Sequence, residues 1–134
     1  MKQVSAGIII CNNKILIARR KHNKSNAELW EFPGGKQEPG ETMPECLRRE
    51  IAEELHLDIE VGSFFMQSTY EYAQGAVCLH AYYAYCKSED ISFHSDHDRL
   101  AWVTPNELGQ YEFSPADIPI RDALQNLPLP VKDN

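Results

Sequence analysis

The apolar positions of this chain change spacing along its length, and each change marks an element. Val4 to Ile10 and Lys14 to Ala18 are aliphatic, β-branched runs that read as strands, with Cys11-Asn12-Asn13 between them as a tight hairpin. Arg19 to Ala27 is polar and turn-like, a loop. Leu29 to Phe32 is a short strand running into Pro33-Gly34-Gly35. Beyond the glycines the spacing lengthens to four, and Leu47, Ile51 and Leu55 form the buried stripe of a helix. Its start is marked by Thr42 with Glu45 three residues on, a capping box, and by Pro44, which a first turn tolerates.

Phe64 to Tyr72 and Ala76 to Cys86 read as two strands around Gln74-Gly75, and Arg99 to Val103 as another. A short capped helix follows at Thr104-Pro105-Asn106-Glu107. A last amphipathic helix begins near Ser114-Pro115 and uses Ile118, Ala123, Leu124 and Leu127. The order β-β-β-α-β-β-β-α combines hairpins with two long helices. It predicts an α/β fold, a central mixed sheet sandwiched between helices.

Composition adds bounds. The 134 residues fit one domain over 1–134, and 43% hydrophobic with 25% charged residues is ordinary for a globular chain. No apolar run approaches the ~20 residues that span a bilayer. Met1-Lys2-Gln3-Val4 leads straight into a strand with no signal peptide, so a cytoplasmic protein with no membrane partner is expected. Cys11, Cys46, Cys78 and Cys86 have no zinc spacing and apolar neighbours, which predicts buried free thiols. A formal charge of −7 argues against polymeric nucleic acid as a partner. An acidic chain still binds an anionic substrate where metal ions and a few local cations intervene. Monomer and homodimer both stay open.

The densest chemistry lies between Gly34 and Leu57. Gly35 is followed after five residues by Glu41, and after seven more by Arg49-Glu50-Ile51-Ala52-Glu53-Glu54. At about 100° per residue, Glu50, Glu53 and Glu54 lie within roughly a 100° arc of one helix face. Such like charges repel by roughly a few tenths of a kcal/mol per exposed pair. A hard divalent cation reverses the sign, because it takes several carboxylate oxygens together with phosphate and water. An ordinary solvated face is the plain alternative, with Arg49 and Glu53 as one of its ion pairs. That alternative does not account for Gly35 and Glu41 in the same register.

This stretch resembles the Nudix box, G-x5-E-x7-R-E-U-x-E-E-x-G-U with U aliphatic, at every defined position but one. The resemblance implies a Nudix-like α/β/α sandwich and a Mg²⁺ site, with Mn²⁺ as a possible substitute. It implies that Glu50, Glu53 and Glu54 bind the cations with the Gly35 carbonyl nearby. It further implies that Arg49 orients a glutamate, that Glu41 ties the loop to the helix, and that Gly34 is structural. His56 departs from the pattern, standing where the family has the glycine that ends the helix in a left-handed conformation.

The likeness extends past the box. Leu29 to Lys36 resembles the MutT-type approach to the loop, Arg19-Arg20 ends the second strand as in MutT-like proteins, and Phe113 to Pro119 resembles their base-contacting tail. The Ala116-Asp117-Ile118-Pro119 run and the His-acid-His turn before Trp102 are shared with the CTP pyrophosphohydrolase group. The resemblance implies a pyrophosphohydrolase that converts a nucleoside triphosphate and water to a monophosphate and pyrophosphate. The substrate is CTP, dCTP or a modified cytidine nucleotide, or alternatively 8-oxo-dGTP; hydrolysis of nucleotide sugars or dinucleoside polyphosphates also stays open. An alternative of another class is a non-catalytic nucleotide-sensing module.

Arg19, Arg20 and Lys36 are candidates for phosphate and base contacts, whereas Lys21, His22 and Lys24 read as a solvated loop. Asp96 matches a glutamate that reaches the metal site as ligand or base, so Glu53 and Asp96 are the two candidates for the base that activates water. His94 and His97 with neighbouring acids do not complete a separate metal centre. Asp117 stands where MutT-like enzymes acting on oxidised guanine have asparagine; read as an ionised carboxylate it only accepts, which suits N4 of cytosine. Its alternative is an acid in the first turn of a helix capped by Ser114. Tyr70, Tyr72, Tyr82, Tyr83, Trp30 and Phe32 are assigned to packing.

Overall fold

A computed structural model describes residues 1–21, 26–91 and 97–131. Strand β1 (Lys2–Cys11) turns through Asn12 and Asn13 into β2 (Lys14–Arg20). Both asparagines sit at positive φ, 51° and 62°, which asparagine tolerates and which matches the twist of a two-residue hairpin. The hairpin pairs only at its root, Ile10 with Ile15 and Cys11 with Lys14. Beyond that the strands separate, and each finds another partner.

On one edge of β2, the hairpin root is followed by the short β3 (Trp30–Glu31). The opposite edge pairs with β6 (His97–Val103). β1 runs parallel to β5 (Gly75–Tyr85), from Lys2 beside Val77 to Ile10 beside Tyr85, and β5 pairs antiparallel with β4 (Glu60–Tyr72). The sheet is therefore mixed. β4 begins four residues before the expected Phe64, because register shifts around Phe64 let the strand continue past an irregular stretch.

β1 and β2 are buried on both faces, which is why they read as near-continuous aliphatic runs. On one face Ile9 and Leu16 pack against Leu47, Ile51 and Leu55 of helix α1 (Met43–Leu55). On the other, Ile8, Ile10, Ile15 and Ile17 meet Phe32, Phe113, Ile120 and Leu124. Leu47 and Ile51 are fully buried, as their spacing predicts. Cys11, Cys46 and Cys78 are buried and Cys86 is half-buried, all as free thiols.

The C-terminal segment differs from expectation. Pro115–Asp117 is a single 3₁₀ turn and α2 covers only Ile118–Leu124. Ile120 and Leu124 form its buried stripe, whereas Ala123 faces solvent and Leu127 lies outside the helix, 42% exposed. Asn126 at φ 69° followed by Pro128 ends the helix before Leu127 could join it. No described helix is long and apolar enough to cross a membrane.

α1 starts and stops as its sequence requires. Glu45 N–H donates to Thr42 Oγ1 at 3.3 Å and Thr42 N–H donates to Glu45 Oε1 at 2.8 Å, the reciprocal capping box. His56 ends the helix at φ 51°, ψ 38°, with its N–H donating to Ala52 O at 3.1 Å. A non-glycine residue in this conformation carries steric cost. His56→Gly is therefore expected to raise stability by up to about 1 kcal/mol in urea unfolding while leaving turnover unchanged. Lost turnover in that variant would show that His56 does more than end the helix.

Candidate active site

The divergence of β1 from β2 exposes a length of β1 backbone, and the loop after β3 fills it. Gly7 N–H donates to Pro33 O at 2.7 Å, Ser5 N–H to Gly35 O at 2.8 Å, and Gln37 N–H to Gln3 O at 2.9 Å. A Cβ on Gly34 would collide with the Ser5 carbonyl, and one on Gly35 would fall on the Glu50 carboxylate. Two consecutive glycines are thus a packing requirement, since they let the loop lie between β1 and the acidic face of α1.

Arg49 organises that face. Its Nε donates to Glu41 Oε2 at 2.5 Å and its Nη2 to Glu41 Oε1 at 3.0 Å, a two-pronged contact. Its Nη1 reaches Glu50 Oε1 at 2.8 Å and Glu53 Oε1 at 3.0 Å, and Nη2 also donates to the Lys36 carbonyl at 3.0 Å. Glu41 Oε1 accepts a further bond from Glu38 N–H at 2.9 Å. The Arg49 contact, aided by that backbone N–H, lowers Glu41 from the ordinary carboxylate range to about 2, and Arg49 is raised in turn, chiefly by Glu41. Loop and helix are locked together by one guanidinium.

The donor set suits a hard cation. Glu50 is pressed against the Gly35 cradle with its side chain 17% exposed, Glu53 is 60% exposed, and one oxygen of Glu54 is hidden from solvent. Among the described residues no three such side chains already converge on one point, because Glu50 and Glu53 lean on Arg49. The Gly35 carbonyl, the further candidate ligand, faces β1 and accepts from Ser5 N–H, Ser5 Oγ and Cys46 Sγ. Gly35 itself lets the Glu50 carboxylate approach the loop.

A second polar region lies on the other face of the sheet. A cavity of about 260 Å³ is lined by Arg20, Glu31, Tyr72, Ser114 and Asp117, among others. Asp117 is 5% exposed, and its Oδ1 accepts Phe32 N–H at 3.0 Å across 85 residues of sequence. Glu31 Oε2 lies 2.8 Å from His97 Nε2 and 3.8 Å from Arg20 Nη1. Burial first, and then the charge of Glu31, push the Asp117 carboxyl well above the usual carboxylate range, against the pull of Phe32 N–H and Arg20. That environment bears on the acceptor-only reading of Asp117, because it favours the neutral form of the carboxyl. The helix-cap alternative holds in position, with Ser114 at the N-cap of the 3₁₀ turn and Asp117 its first-turn acid, although Ser114 makes no side-chain cap bond. A larger hollow of about 800 Å³ lies on the opposite flank of α1, beside Arg48, Leu57 and Cys86, and contains none of Glu41, Glu50, Glu53 and Glu54.

The turn carrying Asp117 is clamped by groups that sequence reasoning assigned to packing or passed over. Ala116 N–H donates to Tyr72 Oη at 3.0 Å, and Ser68 Oγ donates to Ala116 O at 2.7 Å. β3 holds the same segment through Trp30 N–H to Glu112 O at 2.8 Å and Ser114 N–H to Trp30 O at 2.9 Å. A buried serine within a strand, and a glutamate between Trp30 and Phe32, were the available signals. Tyr70, Tyr82 and Tyr83 pack edge-on or tilted against Tyr72, Phe64 and Phe65.

Other candidates are placed as follows. Arg20 lines the cavity. Arg19 does not, and its Nε and Nη2 grip both Asp98 oxygens at 2.9 Å; successive side chains of a strand point to opposite faces. Lys36 is exposed on the loop. Asp96, with His22, Lys24 and His94, lies outside the described residues.

The family profile of the NUDIX domain matches residues 1–125, and the chain belongs to this family. It is a Nudix hydrolase. It is 38% identical over 127 residues to the CTP pyrophosphohydrolase of Escherichia coli K12, covering 95% of this chain and 93% of that one. It is 31% identical over 126 residues to the 8-oxo-dGTP diphosphatase of the same organism, covering 93% and 97%. Among solved structures it is similar to the ORF135 protein of E. coli, at 37% identity and TM-score 0.74 over 92% of this chain and 87% of that one. The MutT protein of Methanosarcina mazei Go1 aligns at 26% identity and TM-score 0.80 over 92% and 89%.

Two measurements test the anchors. Glu41 is lowered on folding, so its contribution to stability is present above the ordinary carboxylate range and is lost as pH falls from about 4.5 toward about 2. The difference in urea midpoint between wild type and Glu41→Gln is expected to shrink across that window; a constant difference would rule out the Arg49 lock. Tyr72→Phe leaves the Ala116 N–H without its acceptor, for an expected loss of roughly 1–3 kcal/mol in chemical denaturation. An unchanged midpoint would show that the clamp carries no load.

Proposed function

We propose that this enzyme is a Mg²⁺-dependent nucleoside triphosphate pyrophosphohydrolase, releasing a nucleoside monophosphate and pyrophosphate, with CTP, dCTP or modified cytidine nucleotides of the cytoplasmic pool as substrates. The observation that carries the reading is the acidic face of α1, with Glu50 against Gly35 and Glu53 and Glu54 beside it. Glu50, Glu53 and Glu54 would hold Mg²⁺, or Mn²⁺ in its place. Such an ion, when bound, neutralises phosphate charge and makes the phosphorus more open to attack by water. Arg49 sets the rotamers of Glu50 and Glu53, and Glu41 holds Arg49. Glu53 is the most open of these carboxylates and is the nearer candidate for taking the proton from the attacking water, with Asp96 as the other.

The substrate assignment draws on the 38% identical CTP pyrophosphohydrolase together with the cavity at Asp117. Asp117 contacts the base, Arg20 stands in the same cavity, and Lys36 meets phosphate from the loop. The 8-oxo-dGTP diphosphatase at 31% identity favours oxidised guanine as a second reading.

A panel of CTP, dCTP, 5-methyl-dCTP and 8-oxo-dGTP with Mg²⁺ tests both. Cytidine nucleotides are expected to lead, and EDTA to stop release of pyrophosphate. Glu53→Gln is expected to lose about 100-fold or more in kcat while keeping its circular dichroism spectrum. A Glu53→Gln enzyme as fast as wild type would remove Glu53 from the chemistry, and preference for 8-oxo-dGTP would overturn the cytidine assignment.

A further inference from the structure

Asp117 and Glu31 are two carboxyl groups in the wall of one cavity, and their surroundings divide their roles. Glu31 has the polar partners, with His97 Nε2 at 2.8 Å and the Arg20 guanidinium Nη1 at 3.8 Å. Among the described residues Asp117 has one donor, the backbone N–H of Phe32, and it is otherwise enclosed by the packed turn. Lys2 and Tyr72 complete the titratable groups along the cavity, from β1 and β4, and Arg20 comes from β2. A carboxyl placed beside a second negative charge, in an enclosed site with a single donor, keeps its proton. Phe32 N–H takes a lone pair of Oδ1, which leaves Oδ2 as the oxygen free to carry a proton. The edge then offers one acceptor and one donor at fixed places.

We infer that Asp117 reads the base as a neutral carboxylic acid, its Oδ2–H donating to the ring nitrogen N3 of cytosine and its Oδ1 accepting from the N4 amino group. The inference rests on the reading of Asp117 as the base contact and adds the state in which it acts. A carboxylate in this position would face the N3 lone pair with its own lone pairs, and only N4 would be satisfied. The neutral acid matches the amino–imine edge at both atoms. It also selects against uracil, whose N3–H and O4 present donor and acceptor in the reverse order along the edge. Ser114 Oγ is buried in the same wall and has no hydrogen-bond partner among the described residues, a further polar group for which the packed protein supplies no partner. The neutral acid also explains how aspartate can occupy a place where an amide would serve: each presents a donor and an acceptor side by side.

Two measurements on the full chain decide it. The infrared spectrum of the wild-type enzyme at neutral pH is expected to contain a protonated-carboxylic-acid carbonyl band that is absent from Asp117→Asn. In steady-state turnover with Mg²⁺, 3-deazacytidine triphosphate, which lacks the N3 acceptor, is expected to fall about tenfold or more below CTP in kcat/KM, with UTP lower as well. Asp117→Ala, verified as folded by circular dichroism, should bring all three nucleotides to within a few-fold of one another. If Asp117→Ala leaves the order of the three nucleotides as in wild type, the base-contact reading itself fails. If Asp117→Ala does level them, but the band is missing or 3-deazacytidine triphosphate is turned over as fast as CTP, the contact stands and the neutral-acid inference is overturned.

Discussion

Everything at this site depends on the backbone of residues 33–37 lying along the edge that β1 exposes when it leaves β2. That contact is made by Ser5, Gly7 and Gln3 with Gly35, Pro33 and Gln37 at ordinary hydrogen-bond lengths. It needs no side chain from the glycines and would not tolerate one. With the loop held there, Glu50 has a floor to lie on, and Arg49 can reach back across Glu41 to the Lys36 carbonyl. If the loop were elsewhere, the same glutamates would form an ordinary solvated helix face, repelling one another.

The two polar regions occupy opposite faces of the sheet, yet they are joined by five residues of chain. Phe32 donates to Asp117 on one side, and Gly35 supports Glu50 on the other. Glu31, at the start of this segment, fixes His97 and Arg20 beside the cavity. A short segment thus sets the spacing between the buried carboxyl of Asp117 and the carboxylates of α1. Placement of this kind matters because small displacements of reacting groups are costly to rate.

The two regions also use carboxyl groups in opposite ways. Glu41 is surrounded by donors and a guanidinium, so it is held charged far into acid. Asp117 is enclosed with one donor and a negative neighbour, so it is held toward the neutral form. The same chemical group serves as a strut in one environment and as a mixed donor and acceptor in the other. Burial and neighbours, more than residue type, set the difference.

What the chain determined by itself was whatever depends on near neighbours. The capping box of Thr42 and Glu45, the Leu47-Ile51-Leu55 stripe and the acidic face follow from spacing along one helix, the left-handed end at His56 follows from the family resemblance, and all stand in the structure. The Asn12-Asn13 hairpin is local in the same sense. The C-terminal helix was legible only in part, since Asn126 and Pro128 outweigh the apolar Leu127 that periodicity would add. Tertiary structure decided which arginine faces the cavity: Arg20 lines it, whereas Arg19 is held by Asp98 of β6. It also decided the Ser68 and Tyr72 clamp, the turn of the Gly35 carbonyl toward Ser5, and the burial of Asp117 in the cavity wall with Glu31. Each of these arises from groups distant in sequence brought into one dry volume, where an unmatched charge is too costly to keep. Spacing along a chain cannot show that enclosure.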